Sequence, residues 1–218
     1  IKVGLPKGVL SILHGKGNNI GQEIVSHPEI KAISFTGGTK TGKQIAEISS
    51  KSLKKISLEL GGKNPIIIFD DCNYKKMLDT TIRSSFENQG QICLSGERIL
   101  IQNTIYDKFK HDFIKKIKKL KIGDPLSKNT DQGAIISKEH LKKINAYVKI
   151  GVKDGGTILI GGKPKKLNGN LKDGYYFEPT VMEHVSKNSI SYKEEIFGPV
   201  VTIHPFKTQI EAINLANN

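Results

Sequence analysis

Lys31 to Leu60 read KAISFTGGTKTGKQIAEISSKSLKKISLEL, and this stretch decides the fold class. Lys31 to Thr36 has the composition of a strand. Gly37 and Gly38 then turn the chain into a helix that carries Ile45 and Ile48 on one face. Lys54 to Leu60 sets Ile56, Leu58 and Leu60 against Lys55, Ser57 and Glu59, the two-residue period of a half-buried strand. Strand, glycine turn, helix and strand in that order predict a parallel sheet joined by crossover helices, an α/β fold.

Upstream, Gly8 to Leu13 reads as a further short strand. Asn18 or Asn19 is expected to cap a helix bearing Ile20, Ile24 and Val25, with Pro28 beyond its end. Downstream, Gly61-Gly62-Lys63-Asn64-Pro65 breaks the composition and is the best boundary between domains, 1–61 and 62–218. Ile66 to Phe69 is apolar throughout, as in strands buried on both faces. A helix from about Asn73 spaces Leu78, Ile82 and Phe86 by four, and Arg98 to Gln102 reads as a strand. Thr104, with Asp107 three residues on, is expected to cap a lysine-rich helix on which Tyr106, Phe109, Phe113, Ile117 and Leu120 keep helical spacing. Ser137 opens another helix, striped by Leu141, Ile144, Val148 and Val152 and stopped by Gly155-Gly156. Strands follow at Thr157 to Ile160 and Tyr175 to Val181, with a polar loop from Lys163 to Asn170 between them. The segment from Thr208 closes the pattern as a helix without a Gly or Pro exit. The second part is therefore also α/β.

Composition narrows the partners. The formal charge is +13, yet Arg83 and Arg98 are the only arginines. Bidentate phosphate and base recognition lean on arginine, so the lysines read as solvated helix faces and no nucleic-acid partner is expected. No apolar run approaches the roughly 18 residues that would span a bilayer, so no membrane partner is expected either. The chain starts at Ile1 without a charged and apolar leader, and both ends look cut. Cys72 and Cys93 sit in unlike contexts and do not suggest a disulfide, which points to a reducing, cytoplasmic compartment. No metal-ligand pattern stands out.

Two stretches carry possible chemistry. Gly37 to Lys43 has two glycines five apart followed by lysine, close to a triphosphate-binding loop. Gln44 then stands where a hydroxyl would have to meet magnesium, which argues against an ATPase. What survives is that Gly37 and Gly42 can let backbone amides approach a phosphate at a helix N-terminus, although a plain tight turn would look the same. In FENQGQICLSGER, Phe86 to Arg98, a helical pattern breaks at Gly90, and Cys93 follows among Gln91, Ser95 and Gly96. That setting suits a thiol a substrate must reach. Taken alone, it also suits a cysteine packed as a small hydrophobe.

Taken together, the motifs resemble the aldehyde dehydrogenase superfamily. Phe35-Thr36-Gly37-Gly38 with Gly42 is similar to its cofactor loop, and Leu58-Glu59-Leu60-Gly61-Gly62-Lys63-Asn64-Pro65 to its glutamate motif. Asn88-Gln89-Gly90-Gln91-Ile92-Cys93 is similar to its nucleophile motif, and Glu194-Glu195-Ile196-Phe197-Gly198-Pro199 to its late ribose-binding motif. The order is the family's, and Glu59 precedes Cys93 by 34 residues, as the family has it. The resemblance implies that 1–61 is the C-terminal part of a Rossmann-like cofactor domain, and that 62–218 is most of an α/β catalytic domain, truncated at its end. It also implies a homo-oligomer at full length.

The activity implied is oxidation of a small-molecule aldehyde to a carboxylate with NAD, NADP not being excluded. Cys93 would be the nucleophile, and Glu59 would activate water to hydrolyse the resulting thioester. A free thiol ionises at about 8.5, so a positive environment is expected to help Cys93. Thr36, Gly37, Gly38 and Gly42 would form the cofactor loop, Gly38 standing where many members carry serine. Leu60 would meet the nicotinamide carboxamide through its backbone, Glu195 would hold the nicotinamide ribose, and Phe197 would pack near the ring. The family's oxyanion asparagine lies outside this stretch, so the chain by itself is expected to be inactive. Arg83-Ser84-Ser85-Phe86 with Ile92-Cys93-Leu94 looks most like the 2-hydroxy- and 2-aminomuconic semialdehyde dehydrogenases. Glu97 is an unusual charge so soon after the nucleophile. The alternatives are an inactive remnant or binding module, and the acylating, coenzyme A-dependent branch, against which Glu59 argues.

Overall fold

The structure, a computed structural model, describes residues 3–217. The chain divides into two compact units, Ile1–Gly61 and Gly62–Asn218. In the first, a π-type turn over Gly17–Gly21 leads into helix α1 (Gln22–Ser26), strand β1 (Ala32–Gly37), helix α2 (Thr39–Ser50) and strand β2 (Lys55–Leu60). β1 and β2 pair in parallel, with Thr36 opposite Glu59 and Gly37 opposite Leu60. This is the crossover unit that the glycine turn and the two periodicities predict. Two upstream expectations fail. Gly8 to Leu13 is not a strand, and Val9, Leu10, Ile12 and Leu13 are all exposed. A strand exists only through a paired neighbour, and among the described residues this segment has none. Asn18 and Asn19 lie inside the π-type turn rather than capping α1.

The second unit contains β3 (Pro65–Ile68), α3 (Tyr74–Phe86), β4 (Arg98–Gln102), α4 (Tyr106–Ile117) and α5 (Lys138–Lys153). It continues with β5 (Thr157–Ile160), β6 (Pro164–Lys165), β7 (Tyr176–Phe177), β8 (Thr180–Glu183), α6 (Ile190–Lys193), β9 (Val200–Phe206) and α7 (Gln209–Ala216). The main sheet has the order β3-β4-β9-β8-β5, parallel throughout except for the antiparallel edge strand β5. Along β4, Ile99 and Ile101 point into a core with Phe86, Phe109 and Phe113, whereas Leu100 joins Phe206, Ala212 and Leu215 on the other face. The alternation of the pleat thus buries both faces at the centre of the sheet. A third cluster, with Ile144, Val148, Met182 and Tyr192, fixes α5 and α6.

Several local readings need correction. The strand expected to be buried on both faces, Ile66 to Phe69, is at the edge of the sheet, and Ile67 is 39% exposed. The doubly buried strands are β4, β8 and β9, and β9 is a strand the sequence pattern does not reveal. Thr202, His204 and Pro205 interrupt its apolar run. Thr104 does not cap α4; its hydroxyl donates to Asp70 Oδ2 at 2.7 Å, and Ile105 occupies the cap. Tyr175 to Val181 is split into β7 and β8 at Pro179. Val152 is exposed at the end of the α5 stripe. Asn73 and Ser137 do cap α3 and α5, accepting from Lys76 N and His140 N.

Candidate active site

In the first unit the relevant residues gather at the carboxyl ends of the two parallel strands, where ligands of α/β sheets are usually held. Thr36 and Gly37 end β1, Glu59 and Leu60 end β2, and Gly38 precedes the first turn of α2. Thr36, Gly38 and Glu59 are exposed. A twelve-residue helix presents its positive end at this turn. Gly42 has a different reason to be small: a Cβ there would lie 2.6 Å from Leu60 Cδ2, so the missing side chain lets α2 seat on β2. Gly38 has open space around it. Behind this turn lies a cleft of about 640 Å³, walled by Gly21, Val25, Phe35, Gln44, Ile45 and Ile48. Its size lies in the range of small-molecule sites. The sequence pattern puts Ile24, Val25, Ile45 and Ile48 on helix faces directed at a core, and it gives no sign of the opening between α1 and α2.

In the second unit the convergence is at the opposite ends of the strands. β3, β4 and β9 are parallel neighbours, so the segments that enter them lie side by side. Those segments are Gly62 to Asn64, the cysteine-bearing turn Gln91 to Glu97, and Glu195 to Pro199. Cys93 is exposed, at the crest of a turn closed by Ser95 N donating to Ile92 O. Asn64 Nδ2 donates to the carbonyl of Cys93 at 2.6 Å and to that of Ser95 at 3.2 Å. The Asn64 carbonyl accepts from the amides of Glu97 and Arg98. Asn64 therefore ties the crest of the turn to the start of the sheet at both sides.

The approach to Cys93 is a run of left-handed residues, with φ of 49° at Asn88, 58° at Gln89 and 66° at Gly90. For the non-glycine pair this conformation costs about 1–3 kcal/mol each and persists only when the surroundings fix it. They do so here. Gln89 Oε1 accepts from Gly133 N at 2.8 Å, Gln91 Oε1 accepts from Ile136 N at 3.1 Å, and Asn88 Nδ2 donates to Gln91 O at 3.1 Å. At Gly90 there is no room for a side chain: a Cβ there would stand 2.3 Å from the carbonyl oxygen of Gly198. The loop that leads to Cys93 thus packs directly on the backbone that follows Phe197.

Glu97, which the sequence marks only as an unusual charge, is 3% exposed and organises this region. Its carboxylate accepts from Lys63 Nζ at 2.5 Å, from Ile196 N at 2.9 Å and from Phe197 N at 2.8 Å. Burial draws the Lys63 ammonium below the ordinary lysine range, and Glu97 acts against that shift. Phe197 is itself left-handed, with φ 59°. Hydrogen bonds to a charged acceptor contribute about 1.5–3 kcal/mol each, enough to offset the strain at such a residue. From the other side, α5 holds the same loop by its carbonyls, through His140 Nε2 with Phe197 O at 2.6 Å and Lys143 Nζ with Glu195 O at 3.1 Å. Glu195 Oε1 accepts from Gly62 N at 3.3 Å. Burial, then the nearby Glu97 carboxylate, raises the Glu195 carboxyl above its usual range, while the Gly62 amide pulls it down.

Comparison with known proteins identifies the ensemble. The aldehyde dehydrogenase family model matches residues 1–218. The chain belongs to the aldehyde dehydrogenase family. It is 45% identical over 219 residues to the 2-aminomuconic semialdehyde dehydrogenase of Bos taurus, covering all of this chain and 45% of that protein. It is 41% identical over 220 residues to the 5-carboxymethyl-2-hydroxymuconate semialdehyde dehydrogenase of Escherichia coli, covering 46% of it. Among solved structures, the betaine aldehyde dehydrogenase of Staphylococcus aureus in complex with NAD+ superposes with a TM-score of 0.95 at 42% identity, over 99% of this chain and 43% of that one. The aldehyde dehydrogenase fold assigned from the motifs is therefore the observed one, and this chain spans somewhat under half of such proteins. Among the described residues of this family member, no helix is long and apolar enough to cross a membrane, and no group of three or more His, Cys, Asp or Glu could hold a metal.

Proposed function

We propose that the protein carrying this chain oxidises an aldehyde to a carboxylate through a thioester on Cys93. The observation that carries this reading is Cys93 itself: an exposed thiol on a turn whose backbone is pinned by Asn64 and wedged at Gly90 against Gly198. A packing cysteine needs neither exposure nor a fixed backbone, whereas a nucleophile needs both. Cys93 Sγ, as thiolate, attacks the aldehyde carbon, and the carbonyl oxygen becomes an oxyanion. The Cys93 backbone amide donates to that oxyanion. NAD, when bound, supplies the acceptor for the hydride that leaves this carbon. Glu59 is the general base that takes a proton from water, so that hydroxide adds to the thioester and Cys93 is released as thiolate. A carboxylate in that role favours hydrolysis over transfer to coenzyme A.

The residues present suit NAD as the cofactor, in keeping with the NAD+ complex of the betaine enzyme. The apolar cleft between α1 and α2 would take a flat heteroaromatic ring, and Thr36, Gly37, Gly38 and the amino end of α2 would take a pyrophosphate. Gly42 serves this loop by seating the helix. Glu195 offers a carboxylate for ribose hydroxyls, Phe197 an aromatic face, and Leu60 its backbone. A muconic-type semialdehyde is the substrate favoured by the names of the two relatives above. The same reading makes 1–61 the cofactor part and 62–218 the catalytic part of a homo-oligomeric protein. Two free cysteines agree with a reducing, cytoplasmic setting.

The test uses the full-length protein with NAD and 2-hydroxymuconic semialdehyde, following NADH. Glu59→Gln should give one burst of NADH per site and then turn over about 10²- to 10⁴-fold more slowly. Absence of any burst would place Glu59 before hydride transfer and overturn its role. Absence of NADH formation by the unsubstituted protein with this and simpler aldehydes would overturn the activity.

A further inference from the structure

Glu97 lies at the junction of the two segments that the proposed chemistry must keep in register. It stands four positions after Cys93, its carbonyl accepts from Thr202 N in β9 at 2.9 Å, and its amide is held by Asn64. Its side chain reaches the other way, to the amides of Ile196 and Phe197. A single residue thus joins the nucleophile turn, the start of β9 and the loop bearing Glu195 and Phe197. Its charge is balanced in place by Lys63, the neighbour of Gly62, whose amide contacts Glu195. A purely structural ion pair would not need its carboxylate to take up the two amides of a left-handed, functional loop. Neither Glu97 nor Lys63 is exposed enough to meet a substrate: their side chains are 3% and 5% exposed.

We propose that Glu97, charged against Lys63, is a positioning residue that fixes the Glu195–Phe197 loop relative to Cys93 and so sets the affinity for the nicotinamide half of the cofactor. The proposal rests on the cofactor reading of Glu195 and Phe197 given above. Its chemical requirement is a buried carboxylate: two amides and an ammonium converge on it, and no neutral side chain accepts from all three with comparable strength. Removing the carboxylate releases the loop without touching the thiol or the aldehyde subsite.

The experiment compares the full-length protein with Glu97→Gln and with the double variant Lys63→Met/Glu97→Gln. The double variant leaves no uncompensated buried ammonium and keeps the test open if the single variant folds poorly. Two readouts are taken on folded protein. Hydrogen exchange without cofactor should show faster exchange across Ile196 and Phe197, with β4 unchanged. Steady-state kinetics should show KM for NAD raised by about tenfold or more, as expected from loss of charge-assisted bonds, while KM for the aldehyde stays within about twofold. Unchanged exchange in the loop together with an unchanged KM for NAD in either folded variant would overturn the proposal. Faster exchange with equal losses for NAD and aldehyde would also overturn it, by reducing Glu97 to a general structural role. If exchange rises as expected but the unsubstituted protein shows no NAD affinity, the cofactor reading fails and the mechanical link stands.

Discussion

Substituting Gly90 by alanine tests the packing on which the exposure of Cys93 depends. At φ +66° an L-residue is in the left-handed region, which costs about 1–2 kcal/mol. The new Cβ would also lie 2.3 Å from Gly198 O, 2.7 Å from Gly198 C and 3.2 Å from Pro199 N. All three are backbone atoms, so no side-chain rotation relieves the overlap, and forced displacement of this kind costs about 1–3 kcal/mol more. The expected total is about 2–5 kcal/mol. Gly169 is the control, since it has φ +63° and a Cβ added there would meet nothing within 4 Å. Gly169→Ala should therefore cost the conformational part alone. With a urea m-value of about 2 kcal/mol/M, Gly90→Ala should lower the unfolding midpoint by about 1–2.5 M and Gly169→Ala by about 0.5–1 M. Circular dichroism during urea titration reads the midpoints, and the rate of Cys93 alkylation by iodoacetamide reads the geometry of the turn. Equal midpoints and equal alkylation rates for the two variants would show that Gly90 is not wedged against Gly198.

The two cysteines should also differ in reactivity. Cys72 packs, half-buried, against the main core, whereas Cys93 is exposed, so brief alkylation and peptide mapping should label Cys93 first. Cys93→Ser should abolish oxidation, Cys72→Ser should leave it within about a few-fold, and preferential labelling of Cys72 with parallel loss of activity would reverse the assignment. His204 is buried in β9 beside the Tyr192 ring, and burial, followed by the Arg98 charge, lowers its pKa from 6.5 to about 4. The unfolded chain binds that proton below about pH 6.5 and the native chain does not. The stabilisation from neutral His204 is therefore fully present above 6.5 and is lost as pH falls through 4, about 3 kcal/mol in all. Urea unfolding at pH 7 and at pH 4 should show a larger loss for the unsubstituted protein than for His204→Gln, and equal losses would refute it.

What the residues determine by themselves is local and periodic. The crossover unit from Lys31 to Leu60 is legible because its strands alternate, its helix keeps an apolar face, and glycines mark the turn. The starts of α3 at Asn73 and of α5 at Ser137 are legible for the same reason, since each is fixed by a bond within its own turn. Cys93 and Glu59 are singled out by short motifs, which record chemistry at fixed spacing. What only the tertiary structure decided is anything that depends on which strands become neighbours. Ile66 to Ile68 is as apolar as a central strand, yet it lies at the edge, while β9, broken by Thr202, His204 and Pro205, lies at the centre. Both follow from sheet order, which no single segment encodes. The role of Glu97 is hidden for the same reason. Its partners Lys63, Ile196 and Phe197 lie 34, 99 and 100 residues away, and they meet only because β3, β4 and β9 run parallel and side by side, which brings together the loops that enter them.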